Sequence, residues 1–199
     1  WLIGLRPLPI DSSYYFGVHP LDVSLLGFWQ RWDAINYQRI ASMGYSQDDL
    51  SAFFPLYPLL GGLLHRLAGG EVLLALILVS NLALLVTLVL LYLVVEEQFS
   101  TSMARGAVIT CLLFPTAFYF FAPYPQSLAL LLTLLAYFCA RRNHWGAAML
   151  AGTGAGLAHS TVIPLAIMLA VEVVHQWRER KGFWRITLFL IPLAPLMGI

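Results

Sequence analysis

The chain has 199 residues, of which 60% are hydrophobic and only 11% are charged. Soluble domains usually contain about 25% charged residues, so this composition, with a mean hydropathy of +0.78, is typical of a polytopic membrane protein. The formal net charge is +1 and no basic stripe is present, which argues against binding to nucleic acid.

Residues 1–52 form the only long stretch whose sequence is not membrane-like. Prolines and glycines interrupt the first part of this stretch. Helix formers then dominate from about Leu25 to Met43, and the polar residues 44–52 predict a turn. We therefore predict a helix over residues 28–42 that lies outside the hydrocarbon.

Residues 53–67 are apolar, but the run is short and is interrupted by Pro55 and Pro58. A helix that crosses a bilayer needs about 20 apolar residues. An interfacial or re-entrant helix therefore fits this segment better than a membrane span.

From Glu71 onward, apolar segments alternate with short polar loops and turns. The predicted membrane segments are 71–95, 106–121, 126–140, 145–158, 161–177 and one that begins at 183. Several are shorter than about 20 residues, so some are expected to be half-embedded. The predicted fold is an all-α, polytopic transmembrane helix bundle formed as a single transmembrane domain, 1–199. In it, residues 1–70 make an extracytoplasmic loop with juxtamembrane helices, and residues 71–199 make the transmembrane helices.

Lysine and arginine orient these segments. If residues 53–67 do not cross, the basic residues collect in alternate loops, namely 96–105, 141–144 and 178–182. The turns between these loops contain neither residue: 122–125 and 159–160. The positive-inside rule then predicts that the basic loops are cytoplasmic and that the Asp33 segment faces the periplasm, the lumen or the cell exterior. Because the chain lacks an initiator methionine and ends in an apolar run, we also expect a fragment of a longer protein.

Asp33 is the most informative residue, because it lies in an aromatic and basic segment, Phe28-Trp-Gln-Arg-Trp-Asp-Ala-Ile-Asn-Tyr-Gln-Arg-Ile40. On a helix over 28–42, Gln30, Asp33 and Tyr37 fall within a narrow arc, with Asn36 at its edge. A carboxylate at a membrane surface can take a proton from an acceptor hydroxyl as a general base.

Cationic side chains near Asp33 in the sequence are candidates to bind a phosphate: Arg31, Arg39, His65 and Arg66. The alternative is an interfacial helix whose Trp and Tyr side chains anchor at the headgroups and whose charges are merely solvated. The residues alone leave both alternatives open.

Two motifs at close spacing resemble the PIG-V family of mannosyltransferases, which act on glycosylphosphatidylinositol precursors and have prokaryotic relatives. The motifs are Trp32-Asp33-x-x-x-Tyr-x-Arg-Ile-Ala-x-x-Gly-Tyr45 and Ala52-Phe-Phe-Pro-Leu-Tyr-Pro-Leu-Leu60. A later block, Phe114-Pro-Thr-Ala-Phe-Tyr-Phe-Phe-Ala-Pro-Tyr-Pro-Gln-Ser127, is similar to that family's Pro-x-x-x-Phe followed by Tyr-Ser-Glu-Ser. The resemblance covers about residues 28–176.

This resemblance implies a GT-C type glycosyltransferase. It implies a polyprenyl-phosphate-linked sugar donor, mannose above all, a lipid or glycan acceptor, and an inverting reaction with Asp33 as the catalytic base in the first outward loop. It implies no metal and no cofactor. The implied substrate-binding residues are Gln30, Arg31, Trp32, Tyr37, Arg39, His65, Tyr124, Gln126 and His159.

The sequence departs from the family pattern at two positions. Gln126 stands where the family tends to have Glu, and it can hydrogen-bond a sugar but cannot act as a base. His159-Ser160 stands where relatives have an Arg-Ser pair, so His159 could hold a phosphate only when it is protonated.

Other polar or glycine-rich features favour structural roles. Gly152-Thr-Gly-Ala-Gly156 lacks the Lys of a P-loop and predicts close helix packing. Asn81 predicts an interhelical hydrogen bond. A transporter or flippase of lipid-linked substrates, and a non-catalytic assembly subunit, stay as alternative functions; the scarcity of mid-span charge between 71 and 176 argues against a transporter.

Overall fold

The computed structural model describes residues 27–46, 48–160 and 163–179. Every regular element in these residues is a helix, which confirms the predicted all-α class. Two are short 3₁₀ helices, Gly27–Trp29 and Asp48–Ala52. The α-helices are α1 (Asp33–Met43), α2 (Leu56–Ala68), α3 (Val72–Gln98), α4 (Thr101–Leu113), α5 (Phe118–Phe121), α6 (Gln126–Arg141), α7 (Trp145–Ala158) and α8 (Ile163–Glu179).

α3 is the one helix, among the residues described, that is long and apolar enough to cross a membrane. It has 27 residues and no charged side chain before Glu96. A helix of this length rises about 40 Å, which exceeds a hydrocarbon core of about 30 Å. The predicted span 71–95 is therefore a helix, and it continues three residues further, to Gln98.

The predicted loop 96–105 is much shorter than expected. α4 already begins at Thr101, because Ser100 caps it by accepting a hydrogen bond from the backbone N–H of Met103 at 3.3 Å. Only Phe99 and Ser100 separate α3 from α4.

The predicted span 106–121 is wrong as one continuous helix. α4 ends at Leu113, and Phe114 adopts an extended conformation with φ −61° and ψ 139°. The cause is Pro115, since the residue before a proline disfavours the helical region. The following α5 has only 4 residues.

The remaining predicted segments match helices closely. α7 has the predicted bounds, Trp145–Ala158, and α6 extends one residue beyond the predicted 126–140. Like α4, both are shorter than a perpendicular span needs, as is the apolar part of α8, Pro164–His175. The segment predicted from 183 onward and residues 1–26 lie outside the described residues.

α6 and α7 pack through small side chains. Ala136 and Ala140 of α6 form one buried cluster with Ala148, Ala151 and Ala155 of α7. Gly152 and Gly156 lie on the same helix and are buried too. The glycine-rich stretch is thus part of a helix packed against α6, as predicted, and not a nucleotide-binding loop.

α2 approaches both α1 and α3 at two consecutive glycines. A Cβ atom on Gly62 would lie 2.6 Å from the backbone oxygen of Ala41 in α1. A Cβ on Gly61 would overlap the side chain of Leu76 in α3. α2 is a helix, as predicted for 53–67, and its close contact with two neighbours depends on having no side chain at these positions.

The helix ends form two groups. At one end, Tyr137 of α6 donates to Gln98 at 3.4 Å, and Arg142 lies 3.3 Å from the carboxylate of Glu97. The basic loops predicted at 96–105 and 141–144 therefore lie at the same end. The turn 122–125, the start of α1 and the end of α7 meet at another junction, which contains the candidate site.

Candidate functional site

Asp33 is the first residue of α1 and does not lie within a longer helix over 28–42, which corrects that prediction. The Gly27–Trp29 turn precedes it, and the chain bends sharply at Trp32, whose φ is 51° and ψ is −132°. Asp33 and Tyr37 still share a face of α1, because they are four residues apart. The bend at Trp32 places Gln30 away from the face of α1 that contains Asp33 and Tyr37.

Gln30 does not continue the polar stripe of Asp33 and Tyr37. Its side chain is buried and its Nε2 donates to Oε1 of Gln38 at 3.3 Å. Gln38 lies five residues beyond Asp33, on a different face of α1. The predicted arc of three polar residues is therefore wrong for Gln30.

Tyr124 joins Asp33 and Tyr37 at the junction, although it lies more than 80 residues away in sequence. Its hydroxyl donates to the backbone oxygen of Arg31 at 3.3 Å, and its ring meets that of Tyr37 edge-on, with centroids 6.3 Å apart. The fold thus brings together three residues that the sequence predicted as parts of one site.

The negative charge of Asp33 acts on the hydroxyl groups of both Tyr37 and Tyr124. Burial first, and then the negative charge of Asp33, raises the pKa of Tyr37 well above its usual value. The same two causes raise the pKa of Tyr124 to about 12. Both phenols therefore keep their protons at physiological pH and are neutral beside the carboxylate.

Asp33 itself is exposed at the surface of the junction. It takes part in no ion pair within the part of the chain that the structure describes. A carboxylate that is open to solvent and not held by a cation can accept a proton from an incoming hydroxyl.

Four tyrosine side chains pack together near the start of α1, and we call them the tyrosine cluster: Tyr37, Tyr57, Tyr119 and Tyr124. Tyr37 meets Tyr57 edge-on at 5.2 Å, and Tyr124 meets Tyr119 in the same way at 5.2 Å. Such edge-to-face pairs contribute about 0.5–1.5 kcal/mol each beyond the area they bury.

Ser80 of α3 connects the tyrosine cluster by hydrogen bonds. It is fully buried, its Oγ donates to the backbone oxygen of Tyr124 at 3.0 Å, and it lies 2.8 Å from the hydroxyl of Tyr57. Tyr57 also donates to the backbone oxygen of Leu76 at 3.0 Å. Sequence reasoning did not single out Ser80 or Tyr57, although Tyr57 lies within a quoted motif.

Asn81, next to Ser80, makes the predicted interhelical hydrogen bond. Its Nδ2 donates to the backbone oxygen of Phe121 at 3.0 Å and to that of Ile77 at 2.8 Å. Asn81 thus fixes the chain just before the turn 122–125 to α3, and Ser80 fixes the turn itself through Tyr124.

His159 and Gln126 lie close to the tyrosine cluster. The ring of His159 stacks on Phe54 with centroids 6.3 Å apart, and burial lowers its pKa below the usual value. Its ring is therefore mostly neutral at neutral pH, which argues against a charged contact with a phosphate. Oε1 of Gln126 is buried with no hydrogen-bond partner among the described residues, so it is an acceptor without a donor.

Arg39 forms an ion pair elsewhere on α1, and His65 lies near the end of α2. Arg39 is 1% exposed and its Nη1 lies 3.0 Å from Oδ2 of Asp49 and 3.1 Å from Oδ1 of Asn36. It is six residues along α1 from Asp33, a rise of about 9 Å. His65 lies in the last turn of α2, eight residues beyond Tyr57. The structure gives Arg39 an ion pair that ties α1 to the segment before α2.

Arg31 stays beside Asp33 at the surface. Its Nε donates to the backbone oxygen of Phe28 at 3.3 Å, and its guanidinium lies 5.8 Å from the centre of the Phe28 ring. It is only partly buried and lies two residues from Asp33 in sequence, which makes it a better candidate than the buried Arg39 to meet a phosphate near Asp33.

Trp32, between Arg31 and Asp33, has a backbone conformation close to the first central position of a type II′ turn, where glycine is usual. Such a conformation costs a non-glycine residue about 1–3 kcal/mol. Trp32 is also 66% exposed. Strain and exposure beside the carboxylate are typical of a functional position.

A pair of substitutions at Trp32 measures this strain. Both Trp32→Ala and Trp32→Gly remove the ring, but only glycine relieves the backbone. We expect the glycine variant to be more stable than the alanine variant by roughly 1 kcal/mol, and so to unfold at a higher temperature, whereas glycine is normally less stable than alanine by about 0.5–1 kcal/mol. Thermal unfolding of the two purified variants in detergent checks the order, and the usual order would contradict a strained Trp32.

An apolar groove of about 410 Å³ adjoins the tyrosine cluster. Aliphatic side chains of α2, α3 and α6 line it, among them Leu60, Leu64, Val79, Leu82, Ala83 and Leu128. Leu60, Ala83 and Leu128 also belong to the apolar cluster that contains Tyr37 and Tyr124. The groove therefore shares lining residues with the apolar cluster that contains these tyrosines.

No protein-family model matches the chain, and no curated protein or solved structure matches it either. The resemblance to the PIG-V family and to GT-C enzymes therefore stays a prediction from the quoted motifs.

Proposed function

We propose that this chain belongs to a multi-pass membrane glycosyltransferase of GT-C type. It moves a hexose, mannose in the first instance, from a polyprenyl phosphate to a hydroxyl of a lipid or glycan on the outer or lumenal side of the membrane. The observation that carries the proposal is Asp33, an exposed carboxylate without an ion pair in the described residues, beside two neutral tyrosines whose apolar cluster also contributes to an aliphatic groove.

The proposed chemistry uses few groups. Asp33 takes the proton of the acceptor hydroxyl while its oxygen attacks the anomeric carbon of the donor sugar. The bond from that carbon to the phosphate oxygen breaks, polyprenyl phosphate leaves, and the configuration at the carbon inverts. In this step the charge of Arg31, two residues from Asp33 in sequence, offsets the negative charge that develops on the departing phosphate.

The groove suits the hydrocarbon part of such a donor. Its lining is aliphatic, and it begins within the same apolar cluster as the tyrosines that surround Asp33. A prenyl chain in the groove would leave the phosphate and the sugar near the junction. Each buried CH₂ group contributes about 0.8 kcal/mol. Burial of several such groups of the prenyl chain in the groove would therefore give substantial affinity for the donor.

A transfer assay tests the function. The protein is reconstituted in lipid vesicles with radiolabelled polyprenyl-phosphate-mannose, and the label is followed into lipid and glycan fractions. Transfer with release of polyprenyl phosphate is expected. Movement of intact donor between leaflets without transfer would instead support a flippase, and neither activity would support an assembly subunit.

Charge in the helices bears on the transporter alternative. α3, α6 and α7 have no charged residue in their apolar parts. Glu172 in α8, at 8% exposed, is buried and is the exception that the sequence argument passed over. One buried acid within the described helices favours a transporter less than the junction around Asp33 favours an enzyme.

A bulky side chain in the groove tests the site of the prenyl chain. We expect Leu82→Trp to raise KM about tenfold for a long-chain donor, which corresponds to a loss of about 1.4 kcal/mol, and to leave KM for a short-chain donor unchanged. Leu74→Trp is the matched control, since Leu74 is also an exposed leucine of α3 but does not line the groove. Equal effects on both donors, or equal effects of both variants, would contradict this use of the groove.

A further inference from the structure

The backbone strain at Trp32 needs groups that hold it. The carbonyl of Arg31 belongs to the peptide bond that enters Trp32, so rotation about φ of Trp32 turns that peptide against Asp33 and α1. If the peptide were released, Trp32 could relax to a negative φ, which would redirect Asp33. Whatever fixes the Arg31 carbonyl therefore fixes the direction of Asp33.

Tyr124 supplies such a group. Its hydroxyl donates to the Arg31 oxygen at 3.3 Å, and the same oxygen accepts the N–H of Ala34 at 3.1 Å. One carbonyl thus ties the first turn of α1 to a residue 93 positions away.

Tyr124 is itself rigidly supported. It lies between Pro123 and Pro125, whose rings fix their own φ angles, and it is 6% exposed. Its backbone oxygen accepts from Ser80 at 3.0 Å, and its ring packs edge-on against Tyr119. Because its surroundings are rigid, the Tyr124 hydroxyl cannot move together with the Arg31 carbonyl. It therefore restrains that carbonyl to one position.

We propose that Tyr124 is a positioning residue: by hydrogen-bonding the Arg31 carbonyl, it holds the strained Trp32 in place so that the Asp33 carboxylate faces the acceptor. The inference rests on the proposed function, in which Asp33 is the base. It replaces the expectation that Tyr124 binds the substrate directly, since its one proton is already donated to Arg31 and its side chain is buried.

Tyr124→Phe removes only the hydroxyl, and Tyr119→Phe is the matched control in the neighbouring ring. Hydrogen exchange of the backbone amides reports on the conformation at the start of α1 and needs no substrate. In Tyr124→Phe we expect the amides of Ala34 and Ile35 to exchange about fivefold faster, as loss of one typical hydrogen bond allows. The amide of Gly44, bonded to Ile40 at the far end of α1, is expected to keep its rate.

Steady-state kinetics of hexose transfer by the same two variants provide the second test. Tyr124→Phe is expected to lower kcat about fivefold with KM unchanged, because a misdirected base slows the chemistry and not the binding. Tyr119→Phe is expected to change neither the exchange at Ala34 and Ile35 nor kcat.

Three results would overturn the proposal: unchanged exchange at Ala34 and Ile35, an equal increase at Gly44, or a raised KM with normal kcat, which would mean that Tyr124 touches the substrate. Failure of the wild-type protein to transfer any lipid-linked hexose would count against the proposed function. The exchange comparison would still decide whether Tyr124 holds the start of α1.

Discussion

Replacing Asp33 with asparagine is expected to lower kcat for hexose transfer by a factor of about 100 to 10,000, the usual contribution of a general base. Asparagine has almost the same shape but cannot take the proton of the acceptor hydroxyl. Because donor binding depends on the groove and on Arg31, KM is expected to change little. The measurement is the rate of mannose transfer from polyprenyl-phosphate-mannose in reconstituted vesicles.

Folding of the Asp33→Asn variant should be nearly normal. The side chain is exposed and forms no ion pair within residues 27–46, 48–160 and 163–179. Losing a negative charge in the first turn of α1 costs about 0.3–1 kcal/mol, since the charge interacts favourably with the helix dipole. A circular dichroism melt close to that of the wild type is therefore expected.

Glu71→Gln is the matched control, because it also neutralises an exposed carboxylate next to the start of a helix, at α3. It is expected to leave kcat unchanged. Asp33→Glu keeps the base but displaces it along a longer side chain, and an intermediate rate is expected. Asparagine and wild-type enzymes of equal kcat would exclude Asp33 as the base.

Composition and spacing predicted the features that depend on local sequence. The uninterrupted apolar run of α3, the bounds of α7 and the interhelical role of Asn81 followed from hydropathy and side-chain chemistry. The approach of Tyr124 to Asp33 was expected in part, because both were placed on the same side of the membrane. Each of these inferences needs only residues within one helix or the alternation of loops.

Other features required the folded structure. A positive φ at Trp32 is not expected of tryptophan, so the break between Gln30 and Asp33 had no local signal. The bonds of Ser80 join residues 23 and 44 positions apart, which no short-range pattern encodes. Pro115 was different: the break it causes between α4 and α5 was visible in the sequence and was outweighed by the hydropathy of 106–121.

Gly62→Ala is expected to destabilise the protein by about 2 kcal/mol. The added Cβ would lie 2.6 Å from the backbone oxygen of Ala41, which belongs to α1 and cannot move aside as a flexible side chain could. α1 and α2 would have to separate. Alanine favours a helix over glycine by about 1 kcal/mol, but this gain is smaller than the cost of the overlap.

The matched control is Gly106→Ala in α4, where the added Cβ has no atom within 4 Å. Only the helix propensity changes there, so stability should rise by about 1 kcal/mol. For a chain of this size the melting temperature should fall by about 4–8 °C in Gly62→Ala and rise by about 2–4 °C in Gly106→Ala. Two shifts of the same sign in detergent-solubilised protein would show that α1 and α2 are not in close contact at Gly62.

The two substitutions should also separate stability from chemistry. Gly62 packs on the helix that begins with Asp33, so Gly62→Ala should reduce the fraction of folded protein and its transfer rate together, and cooling should restore much of both. Asp33→Asn should leave the folded fraction near normal and stay slow at every temperature. Recovery on cooling in Gly62→Ala but not in Asp33→Asn is expected only if packing of α1 on α2 and proton transfer at Asp33 are separate requirements for activity.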